Sequence, residues 1–450
     1  ASLGIHTAYQ DSTPVILFIG QVGTDFIERE AFQEIDFRRM YGQMAKWVAQ
    51  IDRADRVPEY VHRAFHTAVS GRPGPVVLAL PEDMLTETAA VADTGRYHRI
   101  AAHPGEEDLQ KLRVMLAQAR RPFVLLGGSD WNAQACADFR AFAEANDLPV
   151  GTAFRRQDLY DNRLPHYVGD VGIGINPKLA ERVKTCDLLV AVGARMDEMT
   201  TGGYKLVDAP RPKPKFVHVH PGAEVLGRVY EAELLIHSGM PEFARAARKL
   251  APADSRPWKD WTKSARADYE AWLNPDPVPG ALNIAEVIVH LRKRLPPETL
   301  VVNGAGNFAG WIHRYYQYPG FRTELAPTSG SMGYGVPAAV AAKLVHPDRP
   351  VISFSGDGDF LMCGQELATA AQYDLNIVFL VVNNGMYGTI RMHQEREYPG
   401  RVFGTALRNP DFAAYARAFG GHGETVEATE EFAPAFARAR ASGKPAIIEL

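Results

Sequence analysis

The sequence of 450 residues has few cysteines, no long apolar run and almost no excess charge of either sign. Its three cysteines, Cys136, Cys186 and Cys363, are far apart and form no C-x-x-C pair, which argues against a disulfide scaffold or a zinc cluster and favours a reducing compartment. Apolar runs such as 14–19 and 377–382 are far shorter than the roughly 20 residues that span a bilayer. With 49 basic and 53 acidic residues, the net charge of −4 provides no basic field for nucleic acid or anionic lipid. We therefore expect a cytoplasmic protein that binds neither nucleic acid nor membranes.

The composition, 46% hydrophobic and 23% charged, is that of an ordinary globular protein. Short β-branched runs alternate with longer helical patterns, which indicates an α/β fold with parallel sheets covered by helices. The pattern predicts strands at 15–19, 76–80, 122–126, 188–192, 216–220, 299–302, 351–354 and 377–382. It predicts helices at 60–70, 133–145, 335–343, 361–373 and 412–419, and it predicts that the chain ends within a strand.

The chain length suggests about three domains. A polar stretch at 91–105 resembles a linker, and the proline-rich stretch at 251–280 predicts a second boundary, because proline stiffens the chain and breaks helices. We therefore expect domains at 1–92, 105–250 and 280–450, each with a Rossmann-like parallel sheet.

One pair of motifs carries most of the chemical information. Gly356-Asp357-Gly358 follows a predicted strand, and Asn383-Asn384 follows the next strand after 24 intervening residues. Ligands bind at the carboxyl ends of parallel strands, so both motifs should lie at one edge of the sheet. The glycines would let the backbone approach a phosphate, and helix amides favour an anion there. Oxygen ligands from Asp357 and Asn384 suit Mg²⁺, whose coordination a diphosphate would complete.

Two other interpretations of these segments compete. Either motif alone is more typical of an ordinary turn. Separately, Gly304-Ala305-Gly306-Asn307-Phe308-Ala309 fits the dinucleotide motif G-x-G-x-x-A, and Glu324 stands about 20 residues further on, as a nicotinamide dehydrogenase would require. The bulky segment 311–316 disfavours this alternative, because close helix–sheet packing is needed there, and Glu324 lies outside any clear second strand.

The spacing of Gly356-Asp357-Gly358 and Asn383-Asn384 resembles the fingerprint of the thiamine-diphosphate-dependent 2-oxo acid decarboxylase and carboligase family, in particular its acetolactate synthase branch. Segments 31–36 and 70–75 are similar to the pyrimidine-binding domain of that family. The region 122–240 resembles its central domain, and the segment 328–335 resembles part of its diphosphate-binding domain. The resemblance thus covers nearly the whole chain and assigns 1–92, 105–250 and 280–450 to the three family domains in that order.

The resemblance also implies site residues. Asp357 and Asn384 would bind Mg²⁺ through their side chains, and Met386 would do so through its carbonyl group. Met332 matches the residue that holds the thiamine in its bent conformation, and Gln33 and Phe32 match residues that line the substrate pocket of the partner subunit. The remaining cofactor-binding residues implied by the family are Gly306, Asn307, Phe308, Ser331, Gly356, Gly358, Asp359, Tyr387 and Gly388.

The function implied by the resemblance is the decarboxylation of a 2-oxo acid such as pyruvate, followed by joining to a second carbonyl compound. The thiazolium ring would act as the electron sink. The family resemblance also implies a homodimer or homotetramer with the active site at the subunit interface. Two alternatives stay open: a decarboxylase or lyase for another 2-oxo acid, such as glyoxylate or benzoylformate, and a catalytically impaired homologue that only binds the cofactor.

The sequence departs from the family pattern at several positions. The activating glutamate of most members lies upstream of the segment that matches 1–19, so it has no counterpart here, and we expect a longer parent protein. Glu82 replaces a lysine, and His393 replaces a tryptophan that selects the second substrate. The segment 151–176 matches the flavin-binding loop poorly, which makes FAD doubtful. Asp359 replaces a hydroxyl residue that commonly faces the diphosphate, so its carboxylate must turn away or find a cation.

Overall fold

The computed structural model describes residues 1–450 and contains three sheets whose strands are all paired in parallel. The α/β fold with parallel sheets that the sequence predicts is confirmed. No helix combines the length with the apolar composition that crossing a bilayer requires.

The first sheet has three strands in the order β1-β3-β2. Its central strand, β3, is buried along most of its length, and the half-apolar helix α3 packs against it through Ala64 and Ala68. The elements of this unit are α1 (Ser2–Asp11), β1 (Ile16–Gln21), α2 (Phe37–Tyr41), β2 (Trp47–Gln50), α3 (Val57–Val69) and β3 (Val76–Pro81).

The second sheet has six strands in the order β6-β5-β4-β7-β8-β9. The strands β4 and β7 at its centre are buried throughout, as parallel strands covered by helices on both faces must be. Its elements are α4 (Glu106–Gln118), β4 (Pro122–Leu126), α5 (Ala133–Ala145), β5 (Val150–Ala153), β6 (Tyr167–Val171), α6 (Pro177–Thr185), β7 (Leu188–Val192), β8 (Lys215–His220), β9 (Leu234–His237), α7 (Met240–Ala247) and α8 (Lys259–Trp272).

The third sheet also has six strands, in the order β11-β10-β12-β13-β15-β14. Strands β12 and β13 are neighbours, so the segments that follow them lie side by side. Its elements are α9 (Ile284–Arg294), β10 (Leu300–Asn303), α10 (Ala309–Tyr315), β11 (Glu324–Leu325), α11 (Gly335–Val345), β12 (Val351–Gly356), α12 (Asp357–Cys363), α13 (Leu367–Gln372), β13 (Ile377–Val382), α14 (Gly388–Glu397), α15 (Phe412–Ala418), β14 (His422–Thr425), α16 (Thr429–Ala441) and β15 (Ala446–Glu449).

Three sequence expectations about elements were wrong. The helix predicted at 361–373 is interrupted by a tight turn at Gly364–Glu366, where a side chain on Gly364 would collide with Phe360. The proline-rich stretch contains the helix α8, because its prolines lie outside Lys259–Trp272. Glu324 belongs to a short strand, β11, that pairs with β10.

Two carboxylates are buried where the second and third units meet. Glu324 accepts a hydrogen bond from the amide of Gln157 at 2.6 Å, and its Oε1 has no hydrogen-bond partner. Asp158 accepts hydrogen bonds from the amides of Arg322 and Thr323 at 2.8 and 3.3 Å. Burial, and then the nearby charge of Asp158, raises the pKa of Glu324 to about 8.

We expect Glu324→Gln to flatten the pH dependence of stability. In the folded wild type, Glu324 keeps its proton up to a pKa of about 8, whereas the unfolded chain releases it near the ordinary value of 4.5. The folded state therefore binds more protons across this window, and its stability falls as the pH rises. The thermal midpoint of the variant, measured relative to that of the wild type, should therefore rise as the pH is raised from about 5 to about 9. A difference between the two midpoints that does not change with pH would contradict this prediction.

Candidate functional site

A cavity of about 230 Å³ lies at the carboxyl ends of β10, β12 and β13. The sequence-predicted residues among its lining are Gly306, Asn307, Phe308, Met332, Gly356, Asp357, Gly358, Asp359, Asn384, Met386, Tyr387 and Gly388. The fold thus brings together four separate segments of the third unit around one space.

The glycines of the first motif make room for two aromatic rings. A Cβ atom on Gly356 would lie 2.9 Å from the ring of Phe308, and one on Gly358 would lie 2.5 Å from the ring of Tyr387. Real Cβ atoms do not approach other atoms this closely. Both rings border the cavity, so the glycines are needed for the shape of its wall as well as for close approach to a ligand.

We expect Gly358→Ala to weaken cofactor binding several-fold, because the new methyl group must displace Tyr387 from the cavity wall. The matched control is Gly310→Ala in α10, where a Cβ atom meets nothing within 4 Å. That variant should bind normally and gain up to about 1 kcal/mol of stability, since alanine favours a helix. Calorimetric titration measures binding in both variants, and equal affinities would contradict the prediction.

Asp357 is held by two hydrogen bonds at the start of α12. Its Oδ1 accepts from the amide of Gly358 at 2.9 Å, and its Oδ2 accepts from the side-chain amide of Asn409 at 2.7 Å. The residue is 3% exposed, so its carboxylate has a fixed direction. A buried carboxylate with both oxygens oriented by donors is a preorganised ligand for a hard cation.

Two further residues with oxygen donors, Asn384 and Met386, border the same cavity. The side-chain oxygen of Asn384 accepts from the amide of Met386 at 3.1 Å, and the carbonyl of Met386 accepts from the amide of Gly388 at 2.9 Å. Both bonds tighten the turn that follows β13. A carboxylate, an amide oxygen and a carbonyl oxygen are the oxygen donors that Mg²⁺ prefers, so the residues present fit a magnesium ion bound together with a diphosphate.

Asn409 is a site residue that the sequence analysis missed. Its side-chain amide donates to Asp357 Oδ2 and to Asn383 Oδ1, both at 2.7 Å. Asn383 in turn donates to Glu449 Oε1 at 2.6 Å. The first asparagine of the Asn383-Asn384 pair is therefore an internal support, and the second borders the cavity. No sequence signal marks Asn409 beyond a turn before α15.

Asp359 lies in the cavity wall with its carboxylate turned towards the backbone. Its Oδ1 accepts from the amides of Ala305 and Gly333 at 3.0 and 2.9 Å. Burial raises the pKa of Asp359, whereas these amides and the charge of Arg155 act to lower it. The sequence analysis expects the carboxylate at this position either to turn away or to find a cation. In the structure it turns towards the backbone, and the positive charge of Arg155 also acts on it.

The segment that carries Ser331 and Met332 is fixed from the first unit. The Ser331 hydroxyl is 3.1 Å from the Thr7 hydroxyl and 2.7 Å from that of Ser329. Ser331 does not line the cavity, whereas Met332 does. The apolar side chain of Met332 is thus available to support a bound molecule.

Gln33 and Phe32 lie on the loop between β1 and α2 and do not line the cavity of their own chain. Phe32 is 87% exposed, and Gln33 has a φ of 65°, which is unusual for a residue other than glycine. The side chain of Phe32 is therefore not packed against the rest of its own chain.

The dinucleotide interpretation finds no support in the position of Glu324. Its side chain is buried and accepts from the amide of Gln157, so it cannot reach a ribose. Residues 305–308 of the glycine-rich segment instead border the cavity next to the two motifs.

Comparisons with known proteins agree with this geometry. The profile of the thiamine pyrophosphate enzyme C-terminal TPP binding domain matches residues 304–450, and the central-domain profile of the same enzymes matches residues 109–247.

The acetolactate synthase large subunit of Corynebacterium glutamicum is 30% identical, over 99% of this chain and 73% of its own length. The corresponding subunit of Parasynechococcus marenigrum is 31% identical over 99% and 74%, and isozyme 2 of Escherichia coli is 29% identical over 94% and 76%. Every residue that lines the cavity falls within the C-terminal match, and the chain belongs to the thiamine pyrophosphate enzymes, among which it is similar to acetolactate synthases.

Proposed function

We propose that this chain uses Mg²⁺ and thiamine diphosphate to decarboxylate a 2-oxo acid such as pyruvate and to join the product to a second carbonyl compound. The observation that carries the proposal is the single cavity bordered by Asp357, Asn384 and Met386 at two neighbouring strand ends. Relatives named acetolactate synthases support the reaction class.

The residues of this chain would bind and orient the cofactor. When bound, thiamine diphosphate supplies an electron sink for decarboxylation. Asp357, Asn384 and the Met386 carbonyl would hold the metal ion. The backbone at Gly306 and Asn307 would border the diphosphate, and Met332 would support the thiamine in its bent form. Holding reacting groups in one orientation can contribute roughly 7–11 kcal/mol to lowering a barrier.

A second candidate is a lyase for another 2-oxo acid, such as glyoxylate or benzoylformate. Two positions favour it: Glu82 stands where a lysine is expected, and His393 stands where a tryptophan is expected. His393 lies on the exposed face of α14, and its Nδ1 is 2.9 Å from Nη2 of Arg396. The surface formed by His393 and Arg396 is polar and basic. A tryptophan at position 393 would instead present an apolar surface to an aliphatic second substrate.

The proposal assigns residues 1–92, 105–250 and 280–450 to pyrimidine-binding, central and diphosphate-binding domains. It includes no flavin. In support, the backbone after β4 packs closely against the backbone after β7. A Cβ atom on Gly128 would collide with the carbonyl of Gly193, and one on Gly193 would collide with the carbonyl of Gly127. Trp131 covers this edge and donates to the carbonyl of Gly127 at 2.9 Å. The absence of flavin is tested by incubating the purified protein with FAD, removing the unbound FAD and recording the absorption spectrum. A spectrum with no flavin band would support a flavin-free protein.

The proposal also includes a homodimer or homotetramer with the active site between subunits. In support, helix α14 next to the cavity contains no buried residue. Large apolar side chains are exposed on α12, on α14 and after it: Leu361, Met362, Ile390, Met392 and Phe403. The first unit exposes Phe18, Phe26, Phe32 and Ile35. Apolar surface of this extent is typical of an interface, and sedimentation velocity measures the oligomeric state directly.

The test of the function is turnover by the purified protein with Mg²⁺ and thiamine diphosphate across pyruvate, 2-oxobutyrate, glyoxylate and benzoylformate. Preferred conversion of pyruvate with formation of acetolactate supports the first proposal. Turnover of glyoxylate or benzoylformate alone supports the second candidate. Calorimetry in the same buffers separates catalysis from binding, because saturable cofactor binding without turnover of any of the acids indicates a homologue that only binds the cofactor.

A further inference from the structure

Two backbone segments that border the cavity lie outside the strands and helices and are held in part by side chains from elsewhere in the chain. Residues 304–308 connect β10 with α10, and residues 326–334 connect β11 with α11. They contribute Gly306, Asn307 and Met332 to the cavity wall. Their positions relative to each other therefore determine the shape of the cavity.

Asp359 joins the two segments from the inner side. One carboxylate oxygen, Oδ1, accepts from the amide of Ala305 in the first segment and from the amide of Gly333 in the second. A side chain on Gly304 would overlap the carboxylate, so Asp359 lies directly against that residue. Asp359 is 2% exposed, and its Oδ2 has no hydrogen-bond partner.

Arg155 joins the same two segments from the second unit. It donates to the carbonyl of Pro327 at 2.5 Å and to the carbonyl of Gly304 at 3.1 Å. Arg155 is 4% exposed and has a φ of 58°, a left-handed backbone conformation that residues with side chains seldom adopt. Such local strain persists where the surrounding structure requires it.

Asp359 and Arg155 meet at Gly304. The carboxylate of Asp359 occupies the space that a side chain on Gly304 would need, and Arg155 donates to the Gly304 carbonyl at 3.1 Å. Burial lowers the pKa of Arg155 to about 10, and the charges of Glu324, Asp11 and Asp359 act against that shift. The hydrogen bonds of both residues therefore hold the same stretch of backbone.

We propose that Asp359 and Arg155 form a positioning pair that holds the segments 304–308 and 326–334 in the arrangement that binds the diphosphate end of the cofactor. The inference rests on the proposed function for the identity of that cofactor. In this arrangement Asp359 is a backbone anchor and not a ligand of the diphosphate. The charged anchor takes the place of the hydroxyl residue that commonly faces the diphosphate at this position.

The opposite hypothesis, in which Asp359 faces the diphosphate, predicts effects of opposite sign. A carboxylate beside a diphosphate repels it, so any substitution that removes the charge should strengthen cofactor binding. An anchor behaves differently. Asn keeps an oxygen that can accept from both amides, whereas Ser is too short to reach them.

The experiment compares Asp359→Asn with Asp359→Ser. Hydrogen exchange of the protein without cofactor reports on the peptides that contain Ala305 and Gly333, and calorimetry with Mg²⁺ and thiamine diphosphate gives the dissociation constant. We expect Asp359→Ser to speed exchange and weaken binding, each by about 10- to 100-fold, and Asp359→Asn to change both by about threefold at most. Tighter cofactor binding in both variants, or unchanged exchange in Asp359→Ser, would overturn the proposal. If the serine variant does not fold, Asp359→Asn decides between the two hypotheses. An affinity that is weaker, or within about threefold of the wild type, supports the anchor, and a gain of more than about threefold overturns it.

The role of Arg155 is tested by a double-mutant cycle. Arg155→Met should weaken cofactor binding by about 10-fold or more, because it removes the two hydrogen bonds by which one side chain joins the carbonyls of Gly304 and Pro327. Combining it with Asp359→Ser should cost less than the sum of the two single effects, because either change alone already releases the same two segments. The matched control is Arg140→Met on α5, whose guanidinium is exposed and 3.7 Å from Glu144. Strictly additive effects would overturn the pairing. The exchange measurement needs no cofactor. A wild type that fails to bind thiamine diphosphate would therefore refute the proposed function, while hydrogen exchange would still test whether Asp359 anchors the two segments.

Discussion

Replacing Asp357 with alanine is expected to abolish the magnesium-dependent retention of thiamine diphosphate. Asp357 supplies the only side-chain carboxylate of the proposed metal ligands, and it is buried with both oxygens oriented by donors. Without it, the metal ion would keep one amide and one carbonyl oxygen from the protein, both neutral. Mg²⁺ depends on anionic oxygen ligands, so too few remain to bridge the protein and the diphosphate.

The matched control for this variant is Asp348→Ala, which removes an exposed carboxylate from a turn of the same unit. Calorimetric titration with cofactor, with and without Mg²⁺, measures both variants, and thermal unfolding without cofactor shows whether each is folded. The control should bind like the wild type. An Asp357→Ala protein that is folded and binds the cofactor with unchanged affinity would refute the metal assignment.

The sequence predicted the cavity through residues that are close in the chain to strand ends. In parallel sheets the carboxyl ends of neighbouring strands meet, so the position of Gly356-Asp357-Gly358 after one strand and of Asn383-Asn384 after the next was sufficient to place them together. Strands 122–126, 188–192 and 377–382 were predicted with the bounds that the structure has, because they are buried on both faces and are therefore uniformly apolar.

The supporting residues could not be predicted in the same way. Arg155 reaches Gly304 across 149 positions of the chain, and Asn409 reaches Asp357 across 52. The first contact depends on how the second and third units pack against each other, and the second depends on how the loop before α15 packs within the third unit. No local pattern records either arrangement. The direction of the Asp359 side chain was foreseen only as one of two possibilities, because a carboxylate beside an anion must either turn away or be neutralised. The amides of Ala305 and Gly333 decide between them.

Replacing Asn409 with alanine is expected to weaken magnesium and cofactor binding by about 10- to 100-fold. The substitution removes the donor that Asp357 Oδ2 and Asn383 Oδ1 share. Asp357 Oδ2 then has no donor, which costs roughly 1–3 kcal/mol for a buried acceptor, whereas Asn383 Oδ1 keeps the amide of Gly385 at 3.2 Å. Asp357 would then be held only through its Oδ1, by the amide of Gly358, and part of the binding energy would be used to orient its carboxylate again.

The control and the alternative outcome separate positioning from folding. Asn376→Ala lies in the same unit and removes only a 3.4 Å hydrogen bond to the carbonyl of Arg440, so it should leave binding unchanged. If Asn409 only supports the fold, Asn409→Ala will lower the thermal midpoint of the cofactor-free protein and leave the magnesium dissociation constant as it is. If Asn409 positions the metal ligand, the magnesium dissociation constant will rise even at temperatures where the variant is fully folded. The reason is that the orientation of Asp357 contributes to binding in the folded chain.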